Sequence, residues 1–198
     1  MNILPKPFFI GCWPRWRLAR APAGLTLVEM MVVLGIVAVL AALAAPSFKP
    51  LIDRWRVRHV SEAMISSLYL ARSEAIKRGG HVVLERNPLV ADCSYANRDG
   101  AKFWSCGWVI YFDADGNHLL DDGQKIQSIS ALKNINVSAS FNDEQIVFDQ
   151  WGQPASLGMG GMSFAIYPEP DGNTSPAALK LCLTSGGRIK SVAGNKCS

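Results

Sequence analysis

One long apolar segment near the N-terminus restricts the folds open to this chain more than any other feature. Residues 25–45 contain a single charged side chain, that of Glu29. A helix of that length spans about 31 Å, which is enough to cross the hydrocarbon core of a bilayer. An unpaired charge inside such a segment costs at least ~2.5 kcal/mol. We therefore expect a partner charge for Glu29.

A cleavage next to Gly24 would supply that partner. Cutting between Gly24 and Leu25 creates an α-amino group a few residues from Glu29, on the same chain or on a neighbouring one. Residues 1–24 contain no acid and four basic residues, Lys6, Arg15, Arg17 and Arg20. Positive charge beside a hydrophobic span favours retention on the cytoplasmic side. The C-terminal part of the chain would then face the periplasm.

The order Gly24-Leu25-Thr26-Leu27-Val28-Glu29, followed by an apolar helix, resembles the processing signal of type IV prepilins. Leu25 is a mild departure, since Phe is the commonest residue at that position. The resemblance implies cleavage after Gly24 by a prepilin peptidase, N-methylation of Leu25 and a role of Glu29 in assembly. Two other interpretations compete: a secretory signal, whose apolar core has only ~7–15 residues, and a plain anchor helix in which Glu29 snorkels.

Removal of the leader would change both the charge and the cysteine count. The formal charge of +4 becomes zero, because 16 basic residues then face 16 acidic ones. Cys12 leaves with the leader, and Cys93, Cys106, Cys182 and Cys197 remain. An even number in an oxidising compartment predicts two disulfides with three open connectivities. We favour sequence neighbours, Cys93 with Cys106 and Cys182 with Cys197, and disfavour zinc because no C-x-x-C occurs.

Beyond residue 45 the hydrophobic pattern is that of an amphipathic helix ending at Gly79-Gly80. Pro46 and Pro50 interrupt or kink the helix just past the apolar run. An apolar stripe recurs at spacings of three and four, at Val57, Val60, Met64, Leu68, Ala71 and Ala75. The arginine cluster at residues 54–58 lies just past the membrane exit, where lipid headgroups, acids of neighbouring subunits or solvent are the alternatives. The sequence predicts one long helix over residues 25–78.

After Gly80 the chain has short β-type runs separated by turn residues. The predicted strands are 81–85, 107–112, 124–130, 134–139, 145–148, 162–167, 178–183 and 188–192. A helix followed by antiparallel strands predicts an α+β fold, with the long N-terminal helix packed on an antiparallel β-sheet. The predicted organisation is a leader at 1–24, a transmembrane helix at 25–45, an amphipathic helix at 46–80 and a β-rich periplasmic domain at 81–198.

Later stretches extend the resemblance to the GspH/FimT group of minor pilins and type II secretion pseudopilins. They are Ala71-Arg72-Ser73-Glu74-Ala75, residues 107–117, residues 146–149 with Gly152, residues 179–183 and residues 186–190. The group implies a type IV pilin-like subunit at or near the tip of a type IV pilus or pseudopilus. Its partners would be other pilins, the prepilin peptidase, the inner-membrane assembly platform and, in a secretion system, exported proteins.

An acidic loop offers oxygen ligands of the kind that calcium prefers. It contains Asp113, Asp115, Asn117, Asp121 and Asp122. The EF-hand pattern requires Gly at its sixth position and Glu at its twelfth, whereas here Gly116 is fourth and Gln124 is twelfth. We favour a Gly-Asn turn between two strands, with aspartates supplying the turn hydrogen bonds.

The C-terminal segment carries four cations and no acid: Lys180, Arg188, Lys190 and Lys196. Arg188 and Lys190 would share a face of a strand. Some FimT-like minor pilins bind DNA through a C-terminal Gly-Arg-x-Arg motif, which Gly187-Arg188-Ile189-Lys190 resembles. Lys190 keeps the charge of the second arginine but not its bidentate fork. DNA binding and a solvated edge strand that blocks aggregation are the two interpretations.

No motif typical of an enzyme is found. His59, His81 and His118 are isolated in the sequence, and no G-x-S-x-G, H-E-x-x-H or P-loop occurs. We expect a structural subunit without catalytic activity or a cofactor. A simple membrane-anchored periplasmic binding domain is the third class of function, and it predicts no prepilin processing.

Overall fold

The computed structural model describes residues 24–87, 93, 102–121, 123–130, 132–155, 161–184, 186–194 and 196–197. The predicted leader up to residue 23 and Asp122 of the acidic loop lie outside these residues. The chain divides into two compact units, Met1–Ala45 and Pro46–Ser198. One helix, α1 (Leu27–Arg78), contributes its first part to the first unit and the rest to the second.

The first unit consists, in its described part, of an uncovered apolar helix. All side chains described between residues 25 and 43 are exposed, on every side of the helix. No single helix of the described residues is long and apolar enough to cross a membrane by itself, whereas Leu27–Leu43 and Ser47–Arg78 meet that criterion when they are taken together. The break between these two segments contains Pro46.

In the second unit α1 packs through the predicted apolar stripe. All six stripe residues are buried, and Val57, Met64, Ala71 and Ala75 have no exposed surface. The helix ends at Arg78, where the backbone N–H of Gly80 donates to the Ala75 carbonyl at 2.8 Å. A glycine in this position commonly closes a helix, because it tolerates the left-handed conformation required there. The sequence-based prediction of this stripe and of the helix end is confirmed.

Eight strands follow α1 in the described part of the chain. They are β1 (Val82–Arg86), β2 (Trp108–Phe112), β3 (Lys125–Ile129), β4 (Ile135–Ala139), β5 (Gln145–Phe148), β6 (Met162–Pro168), β7 (Leu179–Leu183) and β8 (Ile189–Ala193). Each corresponds to one predicted run. The α+β class, with a long N-terminal helix and antiparallel strands, is therefore confirmed.

The strands form two antiparallel sheets of four rather than one. The first has the order β3-β2-β1-β5, and the second has the order β4-β6-β7-β8. The chain leaves the first sheet after β3, begins the second with β4 and returns with β5, which pairs with β1 through Leu84 and Ile146. Sequence pattern predicts which residues are extended, but not which distant strand each one pairs with.

One hydrophobic core is shared by the stripe of α1 and both sheets. The first sheet contributes Leu84, Ile110 and Ile146, and the second contributes Phe164 and Leu181. Trp104 and Trp108 are fully buried in the same core, and the Trp108 ring N–H donates to the Ser67 hydroxyl on α1 at 2.9 Å. This bond satisfies a donor whose burial without a partner would be costly.

Candidate functional site

The predicted cleavage site lies ahead of the helix. Gly24 and Leu25 precede the first helical residue, Leu27, and no atom lies within 4 Å of a Cβ built on Gly24. The Thr26 hydroxyl accepts a hydrogen bond from the Glu29 backbone N–H at 3.2 Å, and so caps the helix. Glu29 stands in the first turn, where the helix dipole favours negative charge. The capping role of Thr26 is an addition to the sequence analysis, although the T-x-x-E spacing signals it.

The cations of the C-terminal segment meet on one strand pair. Lys190 on β8 lies directly opposite Cys182 on β7, two residues from Lys180, and residues alternate between the faces of a strand. The other face of β7 enters the core through Leu181 and Leu183. Lys180 and Lys190 therefore belong to the outward face of the second sheet.

Two neighbouring cations complete this group. Arg188 is exposed and directly precedes β8, two residues before Lys190. The Cys182–Cys197 disulfide holds Cys197, and with it the adjacent exposed Lys196, at the same strand pair. We call Lys180, Arg188, Lys190 and Lys196 the β7–β8 basic face.

Both disulfides join sequence neighbours. Cys93 is bonded to Cys106 and Cys182 to Cys197, with Cα–Cα distances of 5.6 and 5.8 Å. Cys106 lies just before β2, so the first bond connects that strand to the preceding loop. The second attaches the final residues of the chain to the middle of β7. This is the connectivity that the sequence analysis favours.

The acidic loop between β2 and β3 has the hydrogen bonds of a turn. The buried Asp113 carboxylate accepts from the backbone N–H groups of Gly116, Asn117 and His118 at 2.9–3.2 Å. Burial opposes ionisation of this carboxyl, but the N–H donors of His118 and Gly116 hold its pKa below the ordinary value. The Asp115 carboxylate accepts from the backbone N–H and the side-chain amide of Asn117 at 3.3 and 2.7 Å.

The described residues contain no group of three or more His, Cys, Asp or Glu side chains arranged to hold a metal ion. The hydrogen bonds of the Asp113 loop are those of the turn interpretation. The Asp121 carboxylate accepts from the Gln124 side-chain amide at 3.3 Å, at the far end of the loop.

Arg72 has a contact that the sequence analysis did not predict. Its guanidinium donates to the Gly187 carbonyl at 3.3 Å, which links α1 to the turn between β7 and β8. Gly187 has a φ of +77°, which favours glycine, and a Cβ there would lie 2.5 Å from this guanidinium and would displace it. Through this hydrogen bond Arg72 holds the turn that precedes Arg188 against α1, and so helps to position the β7–β8 basic face.

A salt bridge joins α1, near the beginning of the second unit, to the connection between β6 and β7. The Lys49 ammonium contacts Asp53 at 3.1 Å and Asp171 at 2.9 Å. Hydrogen bonds to Asp171 and Asp53 raise the pKa of Lys49. The two partners of Lys49 are 4 and 122 residues away in sequence, so only the tertiary structure reveals the tie to Asp171.

Comparison with known families matches residues 60–196 to the type II transport protein GspH. This chain belongs to the GspH family. Residues 20–45 also match the prokaryotic N-terminal methylation motif. Together these matches make the protein a subunit of the type IV minor pilin and pseudopilin class, as the sequence analysis predicted.

Similar proteins include a curated relative and a solved structure. The chain is 25% identical over 176 residues to the pilin-like protein PilA1 of Thermus thermophilus, covering 85% of this chain and 90% of the relative. It is similar to the type IV minor pilin FimU of Pseudomonas aeruginosa in one of its crystal forms, with a TM-score of 0.50, 19% identity, and coverage of 68% of this chain and 91% of FimU. The FimU match shows a shared fold.

Proposed function

We propose that this GspH-family chain is made as a prepilin, cut between Gly24 and Leu25, methylated at Leu25 and assembled into a fibre from the inner membrane. The observation that carries the proposal is the helix of the first unit, whose apolar side chains are exposed on every side. An apolar helix of this kind requires lipid or other helices around it. Residues 25–45 would span the membrane first and then pack among the helices of other pilins.

Glu29 would make the packing of this helix among other pilin helices specific. In the membrane its carboxylate costs at least ~2.5 kcal/mol when unpaired, and the amine created at Leu25 is the nearest new charge of opposite sign. The amine of one subunit paired with Glu29 of a neighbour would favour a defined stagger between subunits. The family resemblance supports a place at or near the tip, where this subunit would help start the fibre on the inner-membrane assembly platform.

Processing can be tested with two glycine variants. The full chain is co-expressed with a prepilin peptidase, and the N-terminal peptide is identified by mass. We expect methylated Leu25 in the wild type and in Gly35→Val, and no cleavage in Gly24→Val. No atom lies within 4 Å of a Cβ built on either glycine, so the pair separates recognition by the peptidase from an effect on folding. An intact Met1 in the wild type, or a start near Ala45, would refute the prepilin proposal.

Assembly can be tested at Glu29. We expect Glu29→Gln to be cleaved normally but to be lost from sheared fibres, because it cannot pair with the Leu25 amine. Glu62→Gln is the matched control, since Glu62 is an exposed acid on the same helix in the second unit. If Glu29→Gln enters fibres as well as Glu62→Gln does, the ion-pair argument fails.

Two fibre systems are compatible with the family, a type IV pilus and a type II secretion pseudopilus. The GspH match supports the secretion system, where the tip would contact exported proteins. The pilin-like relative and the β7–β8 basic face support the pilus. A strain that lacks this chain separates them: loss of surface pili supports the pilus, and periplasmic accumulation of exported proteins supports the pseudopilus.

DNA binding by the β7–β8 basic face is a second candidate function within the pilus. It is supported by the register, which puts Lys180 and Lys190 on one outward face beside Arg188. Four phosphate contacts would make binding weak, with a slope of about −3.6 in log K against log salt. We expect Arg188→Ala with Lys190→Ala to abolish a low-salt gel shift. The control, Lys102→Ala with Lys125→Ala, removes two exposed lysines elsewhere and should retain it; equal loss in both would refute a specific site.

A further inference from the structure

A cleft at the beginning of the second unit is not accounted for by the fold or by the β7–β8 basic face. It lies between α1 and the connection that leads into β7, and it has a volume of about 360 Å³. Its lining residues are Leu51, Arg54, Trp55, Arg58, Pro176, Ala177 and Leu179. The Lys49–Asp171 contact ties the β6–β7 connection to α1 beside it. The cleft is therefore built from two fixed elements of one unit.

The walls of the cleft expose large apolar side chains. Trp55 is 67% exposed and Leu51 is 62% exposed. The Trp55 ring stacks on His59, with 5.7 Å between centroids, so it is held on the helix while one side remains uncovered. An indole has an apolar body and a polar N–H, and this combination favours the boundary between lipid and water.

The positive charge of the cleft favours binding of an anion. Arg54 and Arg58 are one helical turn apart on α1, and like charges at this spacing destabilise a helix. The lining contains no acid, and neither arginine forms an ion pair within the part of the chain that the structure describes. Asp53, next to Arg54, already pairs with Lys49, and Glu62, four residues after Arg58, forms no ion pair with it among the described residues. A phosphate between the two guanidinium groups would relieve their repulsion through charge-assisted hydrogen bonds.

The position of these residues in the chain identifies the source of the phosphate. Trp55 is ten residues beyond Ala45, the last residue of the proposed membrane span. Basic residues on the translocated flank of a span oppose the usual orientation rule, yet residues 46–58 contain four of them and one acid. A surface of arginine, tryptophan and leucine this soon after the proposed span in sequence matches an anionic lipid surface.

We propose that this cleft binds the phosphate of an anionic phospholipid at the periplasmic surface of the inner membrane, with Arg54 and Arg58 on the phosphate and Trp55 and Leu51 in the interface. The inference rests on the proposed membrane insertion of residues 25–45. The contact would hold the folded unit against the bilayer before assembly. Leaving the membrane for the fibre would then require release of this lipid.

The test uses the full chain in nanodiscs that hold one copy each. The discs contain phosphatidylcholine and phosphatidylglycerol at fixed mole fractions, and the acyl chains of only one of the two lipids are brominated near the headgroup. Bromine quenches tryptophan fluorescence by contact, and the Trp55 signal is the difference between the wild type and Trp55→Phe. We expect phosphatidylglycerol to be enriched at Trp55 over phosphatidylcholine by roughly fivefold for each arginine.

The double variant Arg54→Gln with Arg58→Gln should lose this preference, and Lys102→Gln with Lys125→Gln, which removes the same charge from exposed lysines elsewhere, should keep it. Equal quenching by the two lipids would overturn the proposal. So would a Trp55 signal that responds only when several chains share a disc, since the occupant would then be a neighbouring subunit. Co-elution of the chain with the discs tests membrane insertion of residues 25–45 independently of the cleft. A chain that enters the discs but shows no lipid preference refutes the cleft proposal and leaves membrane insertion standing.

Discussion

Replacing Gly107 with alanine tests the contact between β2 and β3, because this glycine is enclosed by backbone. Gly107 directly precedes β2 and has a φ of +87°. A Cβ built on it would lie 2.0 Å from the Ile129 carbonyl oxygen and 2.7 Å from the Ser130 carbonyl carbon. Real Cβ atoms do not approach other atoms so closely. The end of β3 would therefore have to move away from Trp108, which pairs with Ile129.

Two costs add in this variant. An L-residue in the left-handed region costs about 1–2 kcal/mol. Forcing atoms into a packed region costs typically about 1–3 kcal/mol more. The expected loss is about 2–5 kcal/mol, a large part of the 5–15 kcal/mol that is typical of a folded domain. Gly116→Ala is the matched control, because Gly116 has a φ of +75° and no atom lies within 4 Å of a Cβ built on it.

The assay is urea unfolding of residues 46–198, which form one compact unit, followed by the fluorescence of the buried Trp104 and Trp108. With a slope of about 2 kcal/mol per molar urea, Gly107→Ala should unfold roughly 1 M earlier than Gly116→Ala. Both variants share the backbone strain, so the difference between them measures the steric contact. Equal midpoints would refute the assignment of this strand pair.

Further predictions concern the disulfides, the core and the acidic loop. Replacing Cys182 and Cys197 with serine should destabilise the unit by about 3 kcal/mol, measured by urea unfolding against the wild type before and after reduction. Met64→Ala should cost about 2–5 kcal/mol because Met64 has no exposed surface, and an unchanged midpoint would contradict packing of α1 on the sheets. The pKa of Asp113 lies below its ordinary value of 3.8 in the folded state, so its stabilisation is complete above that pH and is lost as the pH falls through the folded pKa. Asp113→Asn should therefore flatten the loss of stability as the pH falls below the ordinary pKa of 3.8; parallel curves for variant and wild type would contradict this.

The elements were predictable because their signals are local. The stripe from Val57 to Ala75 repeats with the helical period, and each strand was predicted from a short β-type run between turn residues. The family resemblance came from the same kind of information, since the order Gly24 to Glu29 and the later stretches are contiguous in sequence. The matches to the GspH family and to the methylation motif confirm that part of the interpretation.

The candidate surfaces were predictable only where their residues are close in sequence. The cations of the β7–β8 basic face lie within 17 positions of one another, and strand alternation predicted a shared face for two of them, Arg188 and Lys190. The cleft at Trp55 was missed as a site, although its arginines were noted. One of its walls comes from a connection more than 100 residues away, which is tied to Lys49 through Asp171.

By itself the sequence determined the class of fold, the buried face of α1, the extended segments and the membership of the family. Periodicity and contiguous motifs express these properties residue by residue. The tertiary structure alone decided the division into two sheets, the return of β5 to β1, the support of the Gly187 turn by Arg72 and the cleft beside Trp55. Each of these depends on which distant segments meet. That choice is made by the complementarity of the whole core and by long-range loop closure, which no local pattern records.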